Sequence, residues 1–297
     1  MINPSYLKKG DSVAIVATAR KISKEELQQA VTFLESYGLT VLPGKNIFAI
    51  DNQYAGTDAQ RAEDLQWALD TAEIKAVFFA RGGYGTVRLL EKTDFTGFVK
   101  QPKWLAGYSD ITVLHNAVHN LDIATLHSTM PINFHKYAEA TKTMMEAMFG
   151  ELKSITAPVD LSNRPGKAKG KVVGGNLSLV YSLSGTGYDL DTNGKILFIE
   201  DLDEYLYHID RMMMQLKLAG KLKNLAGLIV GGMTDMKDNV VPFGKTTEAI
   251  ILDAIKEYNY PVCFNYPAGH IDRNLALYFG KEAELVVNQE SVSLTYL

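Results

Sequence analysis

The chain has 297 residues, with 30 lysines and arginines against 34 aspartates and glutamates, six histidines and one cysteine. That length suits two domains and buries a core without disulfide staples, and a net charge of −4 argues against a nucleic-acid partner, whose phosphates call for a basic surface. The lone Cys263 excludes an intramolecular disulfide and a cysteine-based zinc site, and is read as a small buried hydrophobe. Residues 1–11 are too polar for a signal peptide, and no run approaches the roughly 18 apolar residues of a membrane span, so the expectation is a cytoplasmic chain with no membrane partner.

In chain order, the apolar run 12–17 predicts a strand buried on both faces. Ser23, with Glu26 three residues on, opens a helix carrying Leu27, Val31 and Leu34. A short strand at 39–42 ends at Pro43-Gly44, and a helix over 58–69 follows with Leu65 and Leu69 on one face. Strands at 76–80 and 104–106 run into two turns, Arg81-Gly82-Gly83-Tyr84-Gly85 and Gly107-Tyr108-Ser109-Asp110, and a helix with Ile111, Leu114 and Val118 departs from the second. This alternation is that of a parallel, Rossmann-like sheet covered by helices. Pro158, Pro165 and Gly166, among Lys167, Lys169 and Lys171, read as an exposed connection. The expected division is therefore 1–155, a linker over 156–170, and 171–297. The second half is mixed: a helix after Gly174-Gly175-Asn176, strands at 195–199 and 225–230, a stripe of Ile209, Met212, Met213 and Leu216 read as core filler, a helix with Ile251, Ala254 and Ile255, and a last strand at 291–296.

Functional groups of α/β sheets collect outside the carboxyl ends of the strands. Ser109 stands in such a turn, like a nucleophile elbow, although Ile111 replaces the final glycine of G-x-S-x-G. Capping of the following helix by Ser109 or Asp110 is the competing reading. The glycines of 81–85 let backbone N–H groups face an anion, or simply make a turn. His115 and His119 share a helix face at a metal-ligand spacing without H-E-x-x-H, and a packed pair explains them as well. His127, His135 and His208 have no distinctive setting; His270 follows a Pro267 turn outside any helical stripe. The cluster 200–204 (Glu-Asp-Leu-Asp-Glu) follows an apolar strand; it suits a divalent cation, a helix cap, or, for Glu200, the orientation of an imidazole.

Taken together, Phe79–Gly85, Gly107-Tyr108-Ser109-Asp110-Ile111-Thr112, Gly174-Gly175-Asn176-Leu177-Ser178, Ile199-Glu200-Asp201-Leu202-Asp203-Glu204-Tyr205, and Gly269-His270 followed by Asn274-Leu275-Ala276-Leu277 resemble the LD-carboxypeptidase family, serine peptidase family S66. The matches run in order over nearly the whole chain. The resemblance implies an N-terminal α/β domain bearing the nucleophile and a C-terminal mixed α/β, β-barrel-like domain bearing the acid and base. It implies a triad of Ser109 nucleophile, Glu200 orienting acid and His270 base, with backbone N–H groups of Asp110 and of Gly82 or Gly83 as oxyanion donors. The expected reaction releases D-alanine from murein tetrapeptides in cell-wall recycling, with no cofactor and no metal, in a homodimer. Where the family carries a His-Gly-Pro-like segment, this chain has His127-Ser128-Thr129-Met130-Pro131, which bears on the substrate preferred. Two other readings stand beside this one: a microcin C-type peptide–nucleotide immunity hydrolase of the same family, and a two-domain protein binding a small ligand or metal.

Overall fold

A computed structural model describes residues 1–297. The chain divides into two compact units: residues 1–152 with 272–278, and residues 153–271 with 279–297.

The first unit opens with β1 (Ser12–Val16), α1 (Lys24–Ser36), β2 (Thr40–Pro43), α2 (Asp58–Asp70) and β3 (Ile74–Phe79). It continues through a 3-10 helix at Thr86–Lys92, α3 (Thr96–Lys100), β4 (Trp104–Gly107), a 3-10 turn at Ser109–Ile111, α4 (Thr112–His119), β5 (Thr125–His127) and α5 (Ala138–Met148). Val13, Ile15, Val77, Phe78 and Leu105 are fully buried, which is why these strands read as continuous apolar runs rather than alternations. At the start of α1, Ser23 Oγ accepts the Glu26 N–H and the Glu26 carboxylate accepts the Ser23 N–H, so two otherwise orphaned donors are satisfied. Thr57 and Gln60 close the same box on α2. The strands β2, β1, β3, β4 and β5 are adjacent in that order and all parallel. Chain order reverses between β1 and β3, so the switch point of this sheet lies between the loops that follow those two strands.

The second unit contains β6 (Ser154–Ala157), β7 (Gly166–Asn176), α6 (Leu177–Ser182), β8 (Ile196–Leu202), α7 (Leu206–Leu218), β9 (Gly227–Thr234), α8 (Thr247–Ala254) and β10 (Val262–Cys263). The chain then gives β11 (Leu277–Phe279) to the edge of the first sheet beside β5, before β12 (Glu282–Val287) and β13 (Val292–Tyr296) complete the second. That sheet has the order β10-β9-β8-β7-β12-β13-β6, parallel from β10 to β7 and antiparallel beyond. Its core joins Val173, Leu197, Ile199, Leu228 and Val230 of the strands to Ile209, Met212, Met213 and Leu216 of α7 and to Ile250 and Ile251 of α8. The methionine stripe is core, and Cys263 is a buried residue of β10 whose thiol burial pushes up.

Two boundaries differ from the sequence expectation. Residues 166–170, expected as exposed linker, are the first half of β7: Lys167 and Lys169 face solvent while Ala168 and Gly170 are buried, a two-residue alternation hidden by the glycines and lysines. Residues 272–278, expected with the C-terminal half, belong to the first unit, held by Arg273 bidentate to Glu139 (both contacts 2.8 Å) and by Tyr278 Oη donating to Ala147 O at 2.6 Å. No helix is long and apolar enough to cross a membrane.

Candidate active site

In the first unit the chain leaves β4 through a sharp turn in which Ser109 takes φ 60°. A non-glycine residue held in the left-handed region costs about 1–3 kcal/mol and persists only where its surroundings over-determine it. Those surroundings are explicit. Gly107 admits the turn, because a Cβ there would stand 2.9 Å from Ile111 Cγ1. His115, one turn into α4 and buried, bridges β4 and β5. Its Nε2 lies 2.9 Å from Gly107 O, which only accepts, so Nε2 carries the proton and Nδ1 accepts from Thr125 Oγ1 at 2.8 Å. Burial holds this imidazole down to about 4, against the hydrogen bond to Gly107, so it stays neutral. With both nitrogens used inside the sheet, His115 is structural rather than half of a metal pair with His119.

The glycine loop after β3 lies against this turn. A Cβ on Gly82 would stand 3.0 Å from Ser109 Cβ and 3.1 Å from Ser109 Oγ, so only glycine lets the backbone come this close to the hydroxyl. Gly83 has φ 120° and Gly85 φ 139°. The loop is fastened by Asp110, whose role beyond its backbone the sequence did not disclose. Its buried carboxylate accepts the Thr86 N–H at 2.7 Å, tying the glycine loop to the serine turn. Burial pushes this carboxyl up, against the hydrogen bonds from Thr86 and Gly85 that pull it down. Thr86 Oγ1 also meets Thr18 Oγ1 at 2.8 Å, and the buried Arg61 links Thr18 O to Asp58. Ser109, Asp110, Gly82 and Gly83 are thus one rigid assembly. Arg81, in contrast, turns a guanidinium N–H back to Lys21 O at 3.3 Å.

In the second unit, Glu200 stands near the carboxyl end of β8 and has no exposed surface. The loop after β10 descends on it. Gly231 lets β9 approach this loop, since a Cβ there would meet Ala268 O at 2.4 Å. Gly269, at φ 106°, lies so close that a Cβ would stand 2.7 Å from Glu200 Cβ and 2.8 Å from Oε2. The next residue, His270, donates twice to Glu200 Oε2: from its backbone N–H at 3.1 Å and from ring Nδ1 at 2.6 Å. Thr234 Oγ1 donates to His270 O at 2.8 Å and fixes the backbone from the other side. With Nδ1 protonated toward the carboxylate, Nε2 carries the lone pair. Burial pulls the His270 imidazolium down, but the Glu200 charge, its hydrogen bond and the Asp201 charge outweigh that, and the net shift is upward. A carboxylate that orients an imidazole and stabilises its charged form supplies two parts of a catalytic triad.

The remaining acids of 200–204 are engaged separately. Asp201 accepts from Asn176 Nδ2 and from the Leu202 and Ser178 N–H groups at 2.8–2.9 Å. Burial and neighbouring Glu200 push its carboxyl up to about 6. Asp203 pairs with Lys237 and Glu204 with His208, each at 2.5 Å. These carboxylates point to three different partners rather than converging on one cation. His127 is buried, its ring 5.9 Å from that of Tyr108, so the segment 127–131 packs under the serine turn.

Comparison with known proteins gives a consistent result. Residues 13–128 match the LD-carboxypeptidase N-terminal domain and residues 169–285 the LD-carboxypeptidase C-terminal domain. A probable murein peptide carboxypeptidase of Bacillus subtilis (strain 168) is 39% identical over 297 residues, covering 95% of this chain and 91% of that protein. The crystal structure of muramoyltetrapeptide carboxypeptidase from Oxalobacter formigenes superposes with a TM-score of 0.85 at 27% identity, covering 96% of this chain and 98% of that one. The microcin C7 self-immunity protein MccF, in complex with aspartyl sulfamoyl adenosine, shares the fold, with a TM-score of 0.87 at 20% identity over 99% of this chain and 98% of its own.

Proposed function

The chain belongs to the LD-carboxypeptidase family and is a serine-type carboxypeptidase, and from that premise we propose that Ser109, Glu200 and His270 carry the reaction and that its substrate is a murein tetrapeptide. The observation that carries the reading is the Glu200–His270 pair: a fully buried carboxylate receiving both the backbone and the ring N–H of one histidine. That arrangement fixes the tautomer a general base needs and stabilises the imidazolium formed when it takes a proton.

In this reading His270 Nε2 removes the Ser109 Oγ proton as the oxygen attacks the carbonyl carbon of the L-centred residue. The C–O bond forms, and the carbonyl electrons move to its oxygen. Backbone N–H groups of Asp110 and of Gly82 or Gly83 receive that oxyanion, each such donor being worth about 3 kcal/mol in comparable enzymes. The C–N bond then breaks, and the imidazolium gives its proton to the departing D-alanine amine. Water, activated by the same imidazole, hydrolyses the acyl-enzyme and regenerates the Ser109 hydroxyl. The rigid approach of Gly82 to Ser109 supports the donor assignment, because a donor that needs no reorganisation contributes most. A homodimer completes the proposal and rests on the family resemblance.

The test is direct. The purified protein, incubated with L-alanyl-γ-D-glutamyl-meso-diaminopimelyl-D-alanine, is expected to release one equivalent of D-alanine and leave the tripeptide, measured by D-amino-acid oxidase coupling and mass spectrometry. Activity should survive a chelator. No release from the tetrapeptide, with turnover of an aminoacyl sulfamoyl nucleoside instead, would overturn the substrate assignment.

A further inference from the structure

The leaving group of this reaction is an amino acid with a free carboxylate, and a carboxypeptidase must recognise that charge close to its nucleophile. Within the first unit, we infer that Arg20 is the residue that binds the terminal carboxylate of the substrate; the inference rests on the carboxypeptidase reading and adds to it the group that makes the enzyme act at a chain end.

The observations are local to the serine assembly. Arg20 lies in the loop after β1, and the glycine loop follows β3, so the two loops flank the switch point of the sheet, where ligands of such folds bind. The loops are stitched together by the Arg20 N–H donating to Gly82 O at 3.5 Å. The Arg20 side chain then passes over Gly83: a Cβ on that glycine would stand 2.6 Å from Arg20 Cγ, 2.7 Å from Cδ and 2.9 Å from Nε. Gly82 faces the Ser109 hydroxyl and Gly83, the next residue, faces the Arg20 stem. Two consecutive glycines therefore face the hydroxyl and the arginine stem in turn.

In the substrate, too, the attacked carbon and the terminal carboxylate are close together. From the scissile carbonyl carbon, one amide bond, one N–Cα bond and one Cα–C bond lead to the carboxylate carbon, a reach of at most about 4 Å. A carboxylate so placed lies one residue's length from the attacked carbon, as Gly83 lies one residue beyond Gly82.

The neighbouring arginines are engaged elsewhere. Arg61 and Arg88 both pair with Asp58, and Arg81 is turned to Lys21 O. Arg20 is exposed, and no carboxylate of the chain is within ion-pair distance of it. An exposed planar guanidinium carried over the glycine loop, with its donors uncommitted to any acid, matches a carboxylate in a bidentate manner.

The experiment compares two substrates that differ only in that charge: the murein tetrapeptide ending in D-alanine, and the same peptide ending in D-alaninamide. The wild type is expected to prefer the free acid in kcat/KM by about 10- to 100-fold, the range of a charge-assisted hydrogen bond. Arg20→Ala should collapse that preference toward unity by losing rate on the acid, and Arg20→Lys should retain part of it. A purely structural role would lower both substrates by one factor and leave the ratio as in the wild type; that result, or an unchanged ratio with unchanged rates, overturns the inference. Failure of the wild type to cleave either peptide would instead overturn the carboxypeptidase reading on which the inference stands.

Discussion

Ser109→Ala is expected to abolish D-alanine release, lowering kcat by about 10⁶-fold, as removal of the nucleophile does in other serine hydrolases. The size of the effect follows from what the substitution deletes. The oxyanion donors and the substrate-binding surface remain, but no oxygen is left to form the acyl-enzyme, so only the residual acceleration from binding and electrostatics persists. The fold should be indifferent to the change. Alanine is no larger than serine, and its backbone at φ 60° bears the same left-handed strain that Ser109 already bears. Equal far-ultraviolet circular dichroism and a Tm within a few degrees of wild type would separate lost chemistry from lost structure. Turnover at the wild-type rate would rule Ser109 out as nucleophile and return it to the alternative role of a helix cap.

Glu200→Gln should lower kcat by about 10⁴-fold, the loss seen when a triad acid becomes its amide. Glutamine fills the same buried volume near the end of β8 but presents an amide that can donate to His270 Nδ1 and so select the wrong tautomer. The pH profile gives an independent reading. As the proposed base, His270 would act only when neutral, and its imidazolium is stabilised in this site beyond the ordinary histidine value. The rate must therefore fall as pH drops through that raised value. Without the Glu200 charge and hydrogen bond, burial dominates and pulls the histidine down, so the acid limb of the residual activity should move to lower pH. Near-wild-type turnover would assign the orienting role to another acid, with Asp201 the nearest by sequence. An unmoved acid limb would show that Glu200 does not set the histidine's charge.

Much of this arrangement was legible in the sequence, for identifiable reasons. The strands β1, β3 and β4 are buried on both faces, and burial of that kind writes itself as unbroken apolar runs. The capping box of α1 needs only two residues three apart. Ser109, Glu200 and His270 are each ambiguous alone and are singled out by the ordered family motifs; of the three, the structure joins His270 to Glu200. What sequence could not disclose depends on approach in three dimensions. The first half of β7 looked like a linker because its outward residues are lysines and its inward ones are Ala168 and Gly170, too small to mark a core face. The Asp110 carboxylate, for which the sequence offers only a possible helix cap, reaches across to Thr86, 24 residues away. Gly269 was seen only as the neighbour of His270, although its missing side chain is what lets the loop settle on Glu200. Sequence adjacency puts Arg81 beside the glycines, but its guanidinium turns to Lys21 O; the side chain that lies over Gly83 is Arg20, from the loop of another strand.

The account turns on Ser109 being activated by the Glu200–His270 pair, and active-site labelling measures this without any assumption about substrate. A fluorophosphonate, incubated with the wild-type protein and followed by tryptic mass spectrometry, is expected to modify Ser109 alone. In His270→Ala the labelling rate should fall by at least about a thousandfold, since the hydroxyl then has no base to take its proton. Labelling of a different residue, or of Ser109 at the same rate in both proteins, would contradict it.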